Sequence, residues 1–177
     1  MISRQPDPQE IALGIFEEDS RLLAAAERVT SAGVGPIVGG IAVFLHGYRR
    51  TTEDVDVYCD DTAVAAAVLE SLGAVWDAEQ SEHRLDGVRV HLVTRAQTGD
   101  APREAVEIRG IRVISLADLI RFKLRSGVSS PGRLRDLSDV LELIRASRLD
   151  KTFALRLPKE LRPEFRKLVD AVRAEGA

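Results

Sequence analysis

The sequence holds 177 residues, 45% of them apolar and 30% charged, with a formal net charge of −3. That balance fits one soluble globular domain with a small appendage, and no run of 18 apolar residues is present to span a membrane. A single cysteine, Cys59, excludes an internal disulfide framework, and three scattered histidines, His46, His83 and His91, form no Cys/His zinc pattern.

In chain order, residues 8–31 read as a helix, with Gly33, Gly35 and Pro36 closing it. PIVGG (36–40) reads as a short strand and IAVFLH (41–46) as a short helix that can stop at Gly47. DVDVYC (54–59) is a strand, and the Ala- and Leu-rich stretch from Ala63 to Leu72 is a helix ending at Gly73. RLDGVRVHLV (84–93) and EIRGIRVISL (107–116) each alternate around a central glycine, as β-hairpins do. TGDAPRE between them is a loop.

From Ser115 onward the pattern turns helical. Ser115 and Asp118 make a capping box for a helix to about Ser126. Pro131 suits the first turn of a helix over 132–146, whose Leu134, Leu137, Val140, Leu141 and Ile144 recur at helical spacing. A last helix covers roughly 159–174. The expectation is an α+β protein: a mixed sheet of about five strands flanked by helices over residues 1–114, and an α-helical part over 115–177 packed on it.

Charge is unevenly placed. Residues 1–120 carry 11 Lys/Arg against 20 Asp/Glu, and residues 121–177 carry 14 against 8. The basic third is either a solvated helical face or a patch that steers a polyanion such as RNA toward an acidic site.

The chemistry concentrates in VGGIAVFLHGYRRTTEDVDVY (38–58). Residues i and i+2 of a strand share a face, so Asp54 and Asp56 point together while Val55 and Val57 enter the core. Paired carboxylates repel unless a cation lies between them, and a hard ion such as Mg2+ (or Mn2+) suits them. The plainer alternative is an edge strand with a polar face. Gly39 and Gly40, separated from Asp54 by thirteen residues, would let backbone N–H groups approach phosphate oxygens at a helix start. The plainer alternative there is a tight turn. Arg49 and Arg50 either meet a triphosphate or are solvated. On the helix 115–126, Lys123 falls within the apolar face of Leu116, Leu119 and Ile120, so it must snorkel out or find an anion. Arg135 and Asp139, at i and i+4, read as a surface pair.

The GG pair followed by a short helix and DVDV resembles the signature of the nucleotidyltransferase superfold. More closely, it is similar to the small bacterial nucleotidyltransferase-like proteins grouped with the AbiEii type IV toxins. These add a helix with Lys and an R-D-x-x-D segment, matched here by LADLIRFKL (116–124) and RDLSDV (135–140). The resemblance covers roughly residues 36–145. It implies that Asp54 and Asp56 hold metal and act in catalysis, that Gly39, Gly40, Arg49 and Lys123 bind a nucleoside triphosphate, and that Asp136 belongs to the catalytic site. By analogy a toxin would act beside an antitoxin partner.

One departure stands out. Where related sequences read R-V-D-L-L, this chain has RVHLV, which puts His91 at the place of a third carboxylate. A neutral imidazole there could serve as general base, but it is a poorer magnesium ligand than a carboxylate. The expected function is therefore a cytoplasmic, Mg2+-dependent nucleotidyltransferase acting on an RNA end, a protein or a small molecule. The alternative is a nucleotide-binding or interaction module on the same fold, weakened by His91. His46 and Cys59 read as structural.

Overall fold

The computed structural model describes residues 8–129 and 131–175. Helix α1 (Pro8–Ser31) buries Leu22, Ala25, Ala26 and Val29, the i, i+3, i+4, i+7 spacing of an amphipathic helix, against the sheet. Helix α2 (Gly39–Leu45) leads to strand β1 (Asp54–Tyr58), and α3 (Thr62–Ser71) follows, its first turn capped by the Asp61 carboxylate. Strands β2 (Val75–Asp77), β3 (Glu82–Leu85) and β4 (Val88–Val93) complete a four-stranded mixed sheet in the order β1-β4-β3-β2. Within it β1 runs parallel to β4, while β4, β3 and β2 pair antiparallel.

After a single-turn helix α4 (Arg95–Thr98), β5 (Ala105–Ile108) and β6 (Ile111–Ile114) form a second, two-stranded sheet. Both expected hairpins are present. Their two-residue turns, Asp86-Gly87 and Arg109-Gly110, have positive φ at both positions, the conformation that matches the twist of the flanking strands.

The stretch read as strand PIVGG contributes one bridging residue instead. Gly39 and Gly40 already belong to α2, and Ile37 alone bridges to Val57 on one side and Val113 on the other. That single residue joins the two sheets across β1 and β6. Strand β2, VWD (75–77), is an addition to the expected elements, since three residues are too few for a periodic signal. The described residues thus hold six strands in two sheets rather than about five in one.

Helices α5 (Leu116–Ser129), α6 (Leu134–Ala146) and α7 (Arg162–Glu175) pack in succession, α5 on α6 and α6 on α7. Helix α5 runs a turn further than expected. Only half of its capping box forms: the Asp118 N–H donates to Ser115 Oγ (3.2 Å), but the Asp118 carboxylate accepts from the N–H groups of Arg103 and Glu104 (2.7 and 2.9 Å). Arg121, 1% exposed, donates to the same carboxylate, to Asp100 and to the Ala101 carbonyl. This buried knot ties the loop before β5 to α5.

Candidate active site

Strand alternation puts Val55 and Val57 in the core, both fully buried, and turns Asp54 and Asp56 to the other face. The parallel register sets His91 of β4 opposite Asp56. His91 Nδ1 lies 3.4 Å from Asp56 Oδ1 and 3.5 Å from Asp54 Oδ2. Asp54, Asp56 and His91 each offer a ligand atom within 4.8 Å of the others, a donor set that fits a divalent cation.

The glycines stand against these acids. Gly39 has φ +64°, and a Cβ there would overlap Asp56 Oδ2; a Cβ on Gly40 would meet Thr52 Oγ1 at 2.5 Å. Thr52 in turn donates to Asp54 Oδ1 (3.2 Å). The pair therefore makes room for the strand carboxylates and their support, a role that the phosphate-cradle expectation did not contain.

His91 is held on its other side by a residue that sequence reasoning missed. Its Nε2 lies 3.2 Å from Glu82 Oε2, and Glu82 is 5% exposed. Arg84 Nη2 approaches Glu82 Oε1 to 2.8 Å, a close ion pair without hydrogen-bond alignment. Hydrogen bonding to Asp56 raises the His91 pKa to about 9; burial lowers it, and Glu82 and the charges of Asp56 and Asp54 add to the rise. Without a competing cation His91 is an imidazolium at neutral pH.

A second polar cluster joins α5 to α6. Lys123 Nζ contacts Asp136 Oδ1 and Asp139 Oδ2, each at 2.7 Å, and its side chain is 10% exposed. Asp136 also accepts from Ser126 Oγ (2.7 Å), and Asp139 accepts from Arg50 (2.6 Å). Burial pushes the Asp136 carboxyl up, but Lys123, Ser126 and Arg133 outweigh it and the net shift is downward. Asp139 is buried and paired with Lys123 and Arg50, so the expected surface pair with Arg135 is not made; Arg135 donates instead to the Thr51 carbonyl. The signal was there: Asp136 and Asp139, at i and i+3, adjoin the apolar stripe of Val140, Leu143 and Ile144.

A cavity of about 820 Å³ has Gly39, Asp56, His91, Phe122, Lys123 and Asp136 among its lining. Gly40 and the exposed Arg49 do not line it. In the basic C-terminal third, Arg121, Lys123, Arg145, Lys151 and Lys167 all sit in ion pairs, which leaves less positive surface than the charge count implies. His46 is structural as expected, its Nε2–H donating to the Ile114 carbonyl (2.8 Å), and Cys59 is buried. Among the described residues no helix is long and apolar enough to cross a membrane.

No protein-family model matches the sequence, and no curated protein matches it. Solved structures do. A candidate nucleotidyltransferase from H. pylori superposes with a TM-score of 0.55 at 16% identity, covering 92% of this chain and 96% of that one. The JHP933 protein of Helicobacter pylori gives 0.53 at 18% identity, covering 97% and 94%. At such identity the likeness defines the fold: this chain has the nucleotidyltransferase fold, in a mixed α+β form.

Proposed function

We propose that the protein is a divalent-metal-dependent nucleotidyltransferase, moving a nucleoside monophosphate from a triphosphate to an acceptor hydroxyl. The observation that carries this reading is the convergence of Asp54, Asp56 and His91 beside the α2 glycine Gly39, in a chain with this fold. Asp54 and Asp56 would hold the ion, Mg2+ or Mn2+. When bound, it supplies charge neutralisation on the triphosphate and on the developing oxygens.

The chain's own residues position the reactants. Gly39 and Lys123 both line the cavity, where the triphosphate would approach the start of α2 past the glycine and meet the Lys123 ammonium. Arg49 assists from the loop before β1. The acceptor oxygen attacks the α-phosphorus in line, the bond to the bridging oxygen breaks, and pyrophosphate leaves with the electron pair. Phosphoryl transfer asks little proton work of the protein, so the hydroxyl proton passes to water in the cavity. Asp136, bound to Lys123 and Ser126, is a weak proton acceptor and serves by orienting Lys123.

RNA is the favoured acceptor in this reading, drawn by the net positive charge of the C-terminal third. A cytoplasmic, AbiEii-like toxin role beside an antitoxin partner is the biological setting that the sequence motifs favour. A second reading rests on His91: an imidazolium in place of a third carboxylate favours a module that binds nucleotide without turnover. Incubation with each α-³²P-labelled triphosphate, divalent ion, and cellular RNA plus protein separates the two. Label entering a macromolecule with the wild type but not with Asp54→Ala supports transfer. Ion-dependent nucleotide binding without transfer supports the module.

A further inference from the structure

We infer that Glu82 is a positioning residue that fixes His91 as a nitrogen ligand, so that the site selects late first-row divalent ions such as Co2+ and Zn2+ over Mg2+. The inference rests on reading Asp54, Asp56 and His91 as a metal site, and deepens it.

The hairpin turn at Asp86-Gly87 sets Leu85 against Val88 and His83 against Val90, which brings Glu82 level with His91. One row then crosses three strands: Asp56, His91, Glu82. The imidazole is flanked by carboxylates on both nitrogens, and burial decides between them. The Asp54 and Asp56 side chains are 30% and 24% exposed, open to solvent or an ion. Glu82 is enclosed, and its Oε2 faces His91 Nε2 at 3.2 Å. A buried carboxylate stripped of its donor is costly, so Nε2–H stays on Glu82. The Nδ1 lone pair is left facing the two aspartates. A carboxylate behind a ligating imidazole fixes its tautomer and orientation and raises its basicity as a ligand. The resulting set is two oxygens and one nitrogen. Imidazole suits Zn2+ and its neighbours, whereas Mg2+ prefers oxygen alone.

Calorimetric titration of the full chain with CoCl2, ZnCl2 and MgCl2, without nucleotide, tests this; the visible absorption of bound Co2+ gives a second readout. Co2+ should bind at least roughly tenfold tighter than Mg2+. Glu82→Gln should weaken Co2+ by about 10- to 100-fold and alter its spectrum, with Mg2+ little changed. His91→Asp should bring the two ions close to parity, and adding Glu82→Gln in that background should cost no further Co2+ affinity. A merely structural Glu82 would lower affinity for both ions in both backgrounds. That result, or Mg2+ binding as tightly as Co2+ in the wild type, overturns the inference. If Glu82→Gln does not fold, the ion ratio of His91→Asp decides. Co2+ binding that ignores Asp54→Asn sinks the metal reading itself, whereas Asp54-dependent binding with no preference for Co2+ sinks only the nitrogen-ligand inference.

Discussion

Gly39 and Asp56 occupy one another's space: the glycine's missing side chain is where the Asp56 carboxylate lies. The segment leading into α2 and strand β1 thereby meet at the site, with the Val38 N–H donating to the Asp56 carbonyl at 2.9 Å. Gly39→Ala should therefore fail twice, by strain at φ +64° and by displacing the carboxylate. The expected loss is about 1–3 kcal/mol in stability, together with loss of divalent-ion affinity. Chemical denaturation and ion titration of the same variant check both.

A Cβ at Gly40 meets the Thr52 hydroxyl at 2.5 Å and the Thr52 Cβ at 2.8 Å, with Arg50 at 3.2 Å, so in Gly40→Ala the whole Thr52 side chain must shift, whereas Asp56 is untouched. Ion binding should weaken less than in Gly39→Ala, through Asp54 losing its Thr52 donor. Pairing Gly40→Ala with Thr52→Ser would not rescue it, whereas Thr52→Ala should reproduce its effect on ion affinity. Titration of the three variants separates these outcomes.

Asp139 is the hinge of the α5–α6 cluster because two cations, Lys123 and Arg50, share it. Removing it takes the carboxylate from Arg50 and leaves Lys123 with Asp136 alone. Asp139→Ala should cost about 3–5 kcal/mol, visible as a fall in the denaturation midpoint. Asp136→Asn leaves Lys123 paired with Asp139 and should cost clearly less.

Much of this was legible beforehand. The D-V-D-V alternation fixes which side chains leave the core, and the DG and RG turns announce two hairpins. Turn arithmetic from Asp86-Gly87 even places Glu82 beside His91, although Glu82 lies outside the RLDGVRVHLV segment. What local pattern could not give was long-range pairing. Nothing in PIVGG says that Ile37 alone joins two sheets, because its partners, Val57 and Val113, are distant in sequence. Arg50 reads as a loop cation until the fold brings Asp139 to it. The same holds for Arg121, whose partners Asp100 and Ala101 come from another loop. The segment 1–7, expected to precede the first helix, lies outside the described residues.

The His91 environment sets a pH dependence. Its folded-state pKa, about 9, lies above the ordinary 6.5, so the folded protein holds this proton more tightly than the unfolded chain. The stabilisation is fully present below pH about 6.5 and is lost as pH rises through about 9. In chelator, the wild type should lose stability over that window relative to His91→Asn. Denaturation midpoints at pH 6 and 9.5 measure it, and parallel curves for the two proteins would show that His91 carries no such linkage.

In the proposed function a divalent ion at Asp54 and Asp56 holds the nucleotide, and equilibrium binding of ATP and the other triphosphates measures this. Binding should require Mg2+, Mn2+ or Co2+, disappear in chelator, and fall at least roughly tenfold in both Asp54→Asn and Asp56→Asn. Nucleotide binding that persists in chelator, or that is indifferent to both substitutions, would contradict it.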